Sequence, residues 1–494
     1  MTTARVVSRN ATVLMMGHGV SYAMRVLYLG VLARYAGPDG IGSISTATSL
    51  VAILVLVVSF GLDTLLVRDV AADGARTRTY VSQVIVLRLG LTLLFVPLLL
   101  AAMTLSSYTP ETRTIIGIYG LAYILDTFYA VARAVFHAHQ RMGYGAAVEV
   151  GRDIINVVAS IVAISLRWPL VAIVMISAGA SAVKLVAGME LMRWRFVRPT
   201  LRIDLRACLR LLHSAVPFAA VLALGVIYAQ INTVLLSWWS TSEAVGLFSS
   251  AAMPITILFI VPTVVMESVL PAFSSYGGQP SAGLTRSYQV SFKALLVVGF
   301  AVGAGVLVVA PDIIRIVYGP AFGGAVLALR IMAVQLFGMV GYVNGAFLHA
   351  TNQQARFARI RIGLTALNAV LCLLLIPPWG YLGAATAAVV PGILDFFVYT
   401  ALCHTYLGLS YPWGILLRAG VSATAMAVVS VAALEVGVPL VAVIVLVAPI
   451  VYGGGLVALR VFDPTEYAFL DSIVPLAGWR RRLLALMGLG GGVP

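Results

Sequence analysis

Six basic side chains lie inside stretches of the sequence that are otherwise apolar enough to cross a membrane. They are Arg25, Arg88, Arg152, Lys184, Lys293 and Arg330. A charged group is costly in hydrocarbon, so each is expected to face a water-filled cavity or an acidic partner. The planar guanidinium of arginine pairs well with phosphate oxygens, and a cavity lined by these cations would suit the phosphate of an anionic headgroup. A structural ion pair with a nearby acid is the alternative for each of them.

Four acidic residues belong to the same predicted membrane interior: Asp63, Asp126, Glu267 and Asp395. They would balance the charge of the basic lining or carry a coupling proton or cation. Asp126 and Asp395 fall in the middle of apolar stretches, where a carboxyl group is a candidate protonatable switch. For Asp63 the alternative is a salt bridge with Arg68 or a contact at the helix end.

Two shorter patterns have structural explanations. Glu149, Arg152 and Asp153 are spaced three and four residues apart on one predicted helix, which favours local pairing. His137 and His139 lie at a predicted helix end, but a metal site would need further ligands nearby. The sequence also lacks the zinc-protease, serine-hydrolase and phosphate-loop motifs of enzymes. It therefore predicts a transporter rather than an enzyme, with no metal and no cofactor.

The elements that must hold these residues are membrane-spanning helices. The chain has 494 residues, of which 61% are hydrophobic and 10% charged, whereas soluble domains have about 45–50% and about 25%. Apolar stretches of about 20 residues, separated by polar turns, recur along the whole length. They predict an all-α polytopic membrane protein with about 14 transmembrane helices.

A pattern that occurs twice divides the chain into related halves. The first copy begins at Gly42 with a run of small residues and ends at Asp63. The second begins at Gly246 and ends at Glu267. Both place a lone carboxylate near the far end of an apolar run, in the same register. Two related halves are the usual build of a transporter whose substrate site lies between them.

Three other segments have predicted roles. Pro254 and Pro262 fall in one predicted helix, where proline bends the chain and frees carbonyl groups, so they form the predicted hinge. Residues 193–210 carry arginines every four residues beside a leucine-rich face. They predict a basic amphipathic helix at the inner membrane surface, with an ordinary solvated cytoplasmic linker as the alternative. Residues 462–494 predict a cytoplasmic amphipathic tail.

Arginine is concentrated in alternate turns between the predicted spans. With the N-terminus inside, the inner turns receive most of the cations, and the outer turns receive only Arg34, Arg113, Arg167 and Arg315. This positive-inside bias predicts a multi-pass protein with both termini in the cytoplasm. The net charge of +14 then reflects topology and contact with membrane lipids. A nucleic-acid partner is not predicted, because binding one would need an extramembrane basic domain.

Several short motifs carry a resemblance to a known family. They lie in residues 32–42, 59–63, 66–71 and 318–322 and in the segment from Asn344 onward. Together they resemble the polysaccharide-biosynthesis flippases, which are the O-antigen and oligosaccharide-lipid exporters of the multidrug/oligosaccharidyl-lipid/polysaccharide exporter superfamily. The resemblance covers essentially the whole chain. It implies two pseudo-symmetric six-helix lobes, residues 1–192 and 211–406, followed by two C-terminal helices in residues 407–461.

The resemblance also implies a substrate and a mechanism. A polyprenyl-(di)phosphate-linked oligosaccharide would enter from the inner leaflet of the plasma membrane and leave in the outer one by alternating access, for assembly of a cell-surface polysaccharide or glycan. Arg25 matches the general habit of basic cavity residues in such flippases.

Two alternatives remain open at this point. A cation-coupled multidrug antiporter of the same superfamily, with Na⁺ or H⁺ as coupling ion, would depend on Asp63, Asp126 or Glu267 more than on Arg25. A membrane sugar polymerase or ligase would need a large outer loop with catalytic residues, whereas the predicted outer loops are short.

Overall fold

The computed structural model describes the backbone of residues 3–106, 108–200, 204–277, 279 and 281–462. Side chains are described for the same residues except 3–23, 25, 75, 105, 205, 267 and 268. The side chains of two predicted site residues, Arg25 and Glu267, therefore lie outside the described part. The predicted tail beyond Phe462 and residues 201–203 of the predicted linker lie outside it as well.

Helices make up almost all of the described chain, and no β-strand occurs in it. The α-helices, numbered in chain order, are α1 (Thr3–Leu54), α2 (Leu56–Ser59), α3 (Leu62–Ala72), α4 (Thr77–Leu105), α5 (Pro110–Ala138), α6 (Met142–Ser165), α7 (Leu170–Arg195), α8 (Leu205–Trp239), α9 (Ser242–Leu258), α10 (Ile260–Ser274), α11 (Ala282–Val317), α12 (Ala325–Ala333), α13 (Gly341–Ala350), α14 (Gln354–Leu407), α15 (Trp413–Glu435), α16 (Leu440–Ala442) and α17 (Ala448–Ala458). A π-helical turn over Val443–Val447 joins α16 to α17.

Eleven helical segments of the described chain are long and apolar enough to cross a membrane. Both α1 and α14 are broken at a glycine, Gly37 (φ 66°) and Gly380 (φ 55°), where the backbone takes the left-handed values that glycine tolerates. Each therefore joins two apolar stretches that the sequence predicts as separate spans, the second of which in α1 continues into α2 and α3. The helix α6 is not among the eleven, because three charged residues interrupt its apolar stretch. The predicted all-α membrane fold is confirmed, and the structure is consistent with the predicted count of 14.

Packing divides the chain into two compact units. Unit 1 comprises Met1–Ser250, Arg315–Phe322 and Cys372–Ala384. Unit 2 comprises Ala251–Ile314, Gly323–Leu371 and Ala385–Pro494. These units are defined by contacts rather than by the repeat, so the lobes and the linker predicted from the sequence stay a prediction.

Unit 1 contains two apolar cores. One joins α3, α4, α5 and α7 to the first turns of α8, around Leu65 and Phe136. The other joins α1, α2, α4, α5 and α7 to the last turns of α8, around Val51 and Ile115. The helix α8 therefore packs on the first half of the chain at both of its ends. In unit 2, α11 packs against α15 and α17 around Met426.

The two copies of the repeated pattern are interrupted at equivalent positions. In the first copy α1 gives way to α2 at Val55, and in the second α9 gives way to α10 at Phe259. Val55 follows Gly42, and Phe259 follows Gly246, by the same 13 residues (42 to 55 and 246 to 259). The internal repeat read from the sequence is thus repeated in the backbone.

The first copy has a second and sharper break. Phe60 (φ 37°) and Gly61 (φ 68°) both adopt left-handed backbone values, which end α2 and allow α3 to start anew. Interruptions inside a membrane helix persist where the surrounding protein satisfies the freed backbone groups. Pro254 of α9 and Pro262 of α10 lie on either side of Phe259, and their role as a hinge stays a prediction.

Candidate functional site

Three helices of unit 1 carry six charged side chains that form three ion pairs, four of them near the helix centres and two, Arg133 and Glu149, nearer the helix ends. This charge cluster consists of Asp126 and Arg133 of α5, Glu149, Arg152 and Asp153 of α6, and Lys184 of α7. The Nζ of Lys184 lies 2.6 Å from Oδ1 of Asp126. Arg152 Nη1 donates a hydrogen bond of 3.0 Å to Asp153 Oδ1. Arg133 Nη1 lies 3.5 Å from Glu149 Oε1.

A glycine on α7 sets the distance between Lys184 and Asp126. Gly188 follows Lys184 by one turn and faces the ring of Tyr129, which follows Asp126 by three residues on α5. A Cβ added at Gly188 would come within 2.5 Å of that ring. The Lys184 ammonium lies 5.0 Å from the ring centroid, and the Tyr129 hydroxyl donates to Gly145 O of α6 at 3.2 Å. The three helices therefore close around Tyr129, which brings the lysine within reach of the carboxylate.

The substitution Gly188→Ala tests this packing. The added methyl group must displace the buried Tyr129 ring, and overpacking of this kind costs about 1–3 kcal/mol. Gly179→Ala on the same helix is the matched control, because its Cβ would meet no atom within 4 Å. We expect Gly188→Ala to have an unfolding free energy about 1–3 kcal/mol below that of Gly179→Ala in mixed detergent micelles. Equal values would show that α5 and α7 have room to adjust.

The pairs of the charge cluster differ in the exposed fractions of their side chains. The side chains of Lys184 and Asp126 are 11% and 36% exposed, and those of Arg152 and Asp153 are 21% and 5% exposed. None of these four side chains is therefore fully enclosed by the helices. Because the charge cluster holds three acids and three bases, its net charge is zero when all six are ionised. An anion that binds there would share Lys184 and Arg152 with the carboxylates already paired to them.

A second ion pair in unit 1 is more deeply buried. Arg88 of α4 is 0% exposed and donates a hydrogen bond of 2.6 Å from Nη2 to Oδ1 of Asp63, which lies in the first turn of α3. Its Nε and Nη1 have no hydrogen-bond partner among the described residues. The predicted alternative partner of Asp63, Arg68, bonds to Asp69 at 2.7 Å instead. Arg88 is thus a buried anchor for the start of α3.

The predicted site residues of unit 2 whose side chains are described lie on three different helices, α11, α12 and α14. Asp395 pairs with Arg361 at 3.2 Å, and both belong to α14 on opposite sides of its kink. Lys293 is buried in α11. Arg330 of α12 is exposed and donates from Nε to Leu307 O at 3.2 Å.

The cations and the acids were predicted from the sequence as two separate sets, and the structure pairs several of them with each other. Lys184 with Asp126 and Arg88 with Asp63 are pairs between members of the two predicted sets. Arg133 and Arg361 were missed as site residues, because both lie near predicted span ends and were counted with the inner charges. Their acidic partners lie 16 and 34 residues away (133 to 149 and 361 to 395), beyond any local spacing rule.

No group of three or more His, Cys, Asp or Glu side chains within the described residues is placed to hold a metal ion. His139 at the end of α5 contacts Val135 O through Nδ1 at 3.0 Å, and its ring packs edge-on against Phe196. These contacts account for one member of the histidine pair seen in the sequence.

Solved structures share this fold. The lipid II flippase MurJ in an inward closed conformation has a TM-score of 0.74 at 14% identity, over 90% of this chain and 99% of that one. An inward-facing multidrug resistance transporter of the MATE family and MOP superfamily has a TM-score of 0.62 at 17% identity, over 78% of this chain and 94% of that one. Both likenesses concern the fold.

Sequence comparison gives the family. A relative from Haloferax volcanii, named as a probable low-salt glycan biosynthesis flippase, Agl15, is 24% identical over 394 residues, which are 77% of this chain and 79% of the relative. The family model described as "Polysaccharide biosynthesis protein" matches residues 7–276, more than half of the chain. The resemblance seen in the motifs is thereby confirmed, and this multi-pass membrane protein belongs to the polysaccharide biosynthesis protein family.

Proposed function

We propose that the protein is a transporter, a flippase that moves a polyprenyl-(di)phosphate-linked oligosaccharide from the inner to the outer leaflet by alternating access. The observation that carries this proposal is the charge cluster, which places partly exposed cations in the middle of apolar helices. Such groups usually mark a substrate path, because their burial in hydrocarbon is costly. The name of the Haloferax volcanii relative supports a glycan as the cargo class.

The proposed function and the distribution of arginine support a location and an orientation for the protein. A carrier of lipid-linked glycans for cell-surface assembly works in the plasma membrane. The excess of arginine in alternate turns supports an arrangement with both termini in the cytoplasm.

The cations of the proposed site differ in their fitness for binding a phosphate group. Arg152 and Lys184 are partly exposed, so they are the proposed direct contacts. Arg88 is completely buried against Asp63, so its proposed role is to hold α3 in place. Arg25 remains a proposed contact because it lies near the middle of the first predicted span, residues 11–35. Lys293 and Arg330 would act from the second half.

The neutrality of the charge cluster suggests how cargo and coupling ion are linked. A diphosphate that binds Lys184 and Arg152 competes with Asp126 and Asp153 for the same donors. A carboxylate left without its cation in a poorly solvated site is unfavourable, so it would take up a proton or bind Na⁺. Asp126 is the proposed coupling acid because it is the more exposed of the two. Asp63, Glu267 and Asp395 would balance charge.

Transport in proteoliposomes tests the proposal directly. A short polyprenyl-diphosphate oligosaccharide would be followed across the bilayer with the wild-type protein, Arg25→Ala and Arg152→Ala. We expect movement that requires the protein and falls by about tenfold or more in both variants, as expected for loss of a hydrogen bond between charged groups. Arg193→Ala is the control, since Arg193 forms an exposed pair with Glu190.

The same assay distinguishes the flippase from the second candidate function, a cation-coupled multidrug antiporter. The partly exposed Asp126 favours that candidate, because a carboxylate in a cavity binds organic cations and coupling ions alike. If the lipid stays in place while an organic cation exchanges for Na⁺ or H⁺, the antiporter replaces the flippase. Asp126 would then be the substrate site.

A further inference from the structure

The two copies of the repeated pattern touch each other within unit 1. A Cβ added at Gly42 of α1 would lie 1.7 Å from Ser242 O of α9, and one added at Gly246 of α9 would lie 1.8 Å from Pro38 O of α1. Ser242 is four residues before Gly246, and Pro38 is four residues before Gly42. Each helix thus presents the same turn to the other, as two subunits do in an isologous interface. We call this contact the glycine crossing.

The glycine crossing joins two backbones directly. Small residues let membrane helices approach this closely, and the contact then depends on van der Waals packing. Dispersion attraction is short-ranged, so a gap of about 0.5–1 Å already forfeits about a quarter to a half of it. A small separation of the two helices therefore weakens the contact substantially, which suits a gate.

Two further contacts join the halves at the same end of unit 1. Arg34 of α1 donates from Nη2 to Ile316 O in the last turn of α11. A cation is favourable there because the carbonyl groups at a helix C-terminus carry partial negative charge. The hydroxyls of Tyr108, which follows α4, and Ser237 of α8 lie 3.0 Å apart.

We propose that the glycine crossing is the outer gate of the transport cycle and that the hydrogen bond from Arg34 to Ile316 O stabilises its closed state. This inference rests on the proposed function, because alternating access can release cargo to the outer leaflet only if this end opens. One turn further along each helix, Thr46 and Ser250 occupy equivalent repeat positions and are 3% and 1% exposed. Opening of the gate uncovers them.

A cysteine at position 250 reports this opening without any cargo. The full chain would carry Ser250→Cys, with the natural cysteines Cys208, Cys372 and Cys403 replaced by serine. The rate of labelling by a membrane-impermeant maleimide would be measured in right-side-out vesicles. Since Ser250 is buried while the gate is closed, the rate measures how often it opens.

Three variants then give different expected rates. Gly42→Ala prevents the closed contact, so labelling should accelerate by about tenfold or more, corresponding to the usual cost of overpacking. Arg34→Ala removes only the cation at the helix end, and labelling should accelerate about two- to fivefold. Gly225→Ala on α8 is the control and should leave the rate unchanged, because its Cβ would meet no atom within 4 Å.

An unchanged labelling rate in a folded Gly42→Ala protein overturns the proposal. If that variant does not fold, Tyr108→Cys with Ser237→Cys, joined by a short bis-maleimide, closes the same end and leaves the glycines intact. The cross-linked protein should stop transporting, and transport at the rate of the protein before cross-linking also overturns the gate. If labelling responds as expected while no lipid moves, the gate stands and the proposed cargo is wrong.

Discussion

Asp63→Ala should lower the unfolding free energy by about 3–5 kcal/mol, because it leaves the guanidinium of Arg88 buried without its carboxylate. Arg88→Met should cost less, since the Asp63 side chain is 31% exposed and water can solvate it. The double variant should recover most of the loss, because it leaves no buried charge. Unfolding by sodium dodecyl sulfate in mixed micelles, with helicity as the readout, measures all three.

The control for this series is Glu190→Ala. Glu190 and Arg193 form an exposed pair on α7, with side chains 57% and 54% exposed. Pairs of this kind contribute about 0–1 kcal/mol. Equal losses for Asp63→Ala and Glu190→Ala would contradict the anchoring role of Arg88.

The second large effect is expected on transport, from the pair at the centre of the charge cluster. Lys184→Met should reduce transport at subsaturating lipid by about tenfold to a hundredfold, since a hydrogen bond to a charged group contributes about 1.5–3 kcal/mol. Asp126→Asn removes the carboxylate that competes with the phosphate. We expect it to bind the lipid at least as tightly as the wild type and to lose its response to an imposed pH or Na⁺ gradient.

Both variants would be assayed in proteoliposomes beside Arg193→Met, which removes one positive charge from an exposed position of the same helix. A normal gradient response in Asp126→Asn would assign coupling to another acid. Full transport in Lys184→Met would remove this lysine from the substrate path.

Much of the fold could be predicted from local properties of the sequence. Runs of about 20 apolar residues predict membrane helices because the bilayer fixes their length. The matching positions of Gly42 and Gly246 predicted an internal repeat, and the matching interruptions at Val55 and Phe259 repeat it in the backbone. The break at Phe60 and Gly61 was not predicted, since a left-handed phenylalanine has no signal of its own in the sequence.

The partners within the candidate site were harder to predict than its members. Asp126 and Lys184 were both identified as charges in apolar surroundings, but their separation of 58 residues (126 to 184) gives no local cue that they pair. The pairing depends on how α7 approaches α5, which Gly188 and Tyr129 decide through side-chain packing. Spacing rules cover one helix at a time, whereas this contact joins two.

The balance of three acids and three bases in the charge cluster has an electrical consequence. A charge that crosses a membrane potential of 100 mV gains or loses about 2.3 kcal/mol. A cluster with no net charge feels no net force of this kind. The return of the empty transporter to its inward-facing state, after the cargo has been released, should therefore be insensitive to voltage. The potential would then act on the loaded carrier alone, through the charges of the cargo and of the ion that accompanies it.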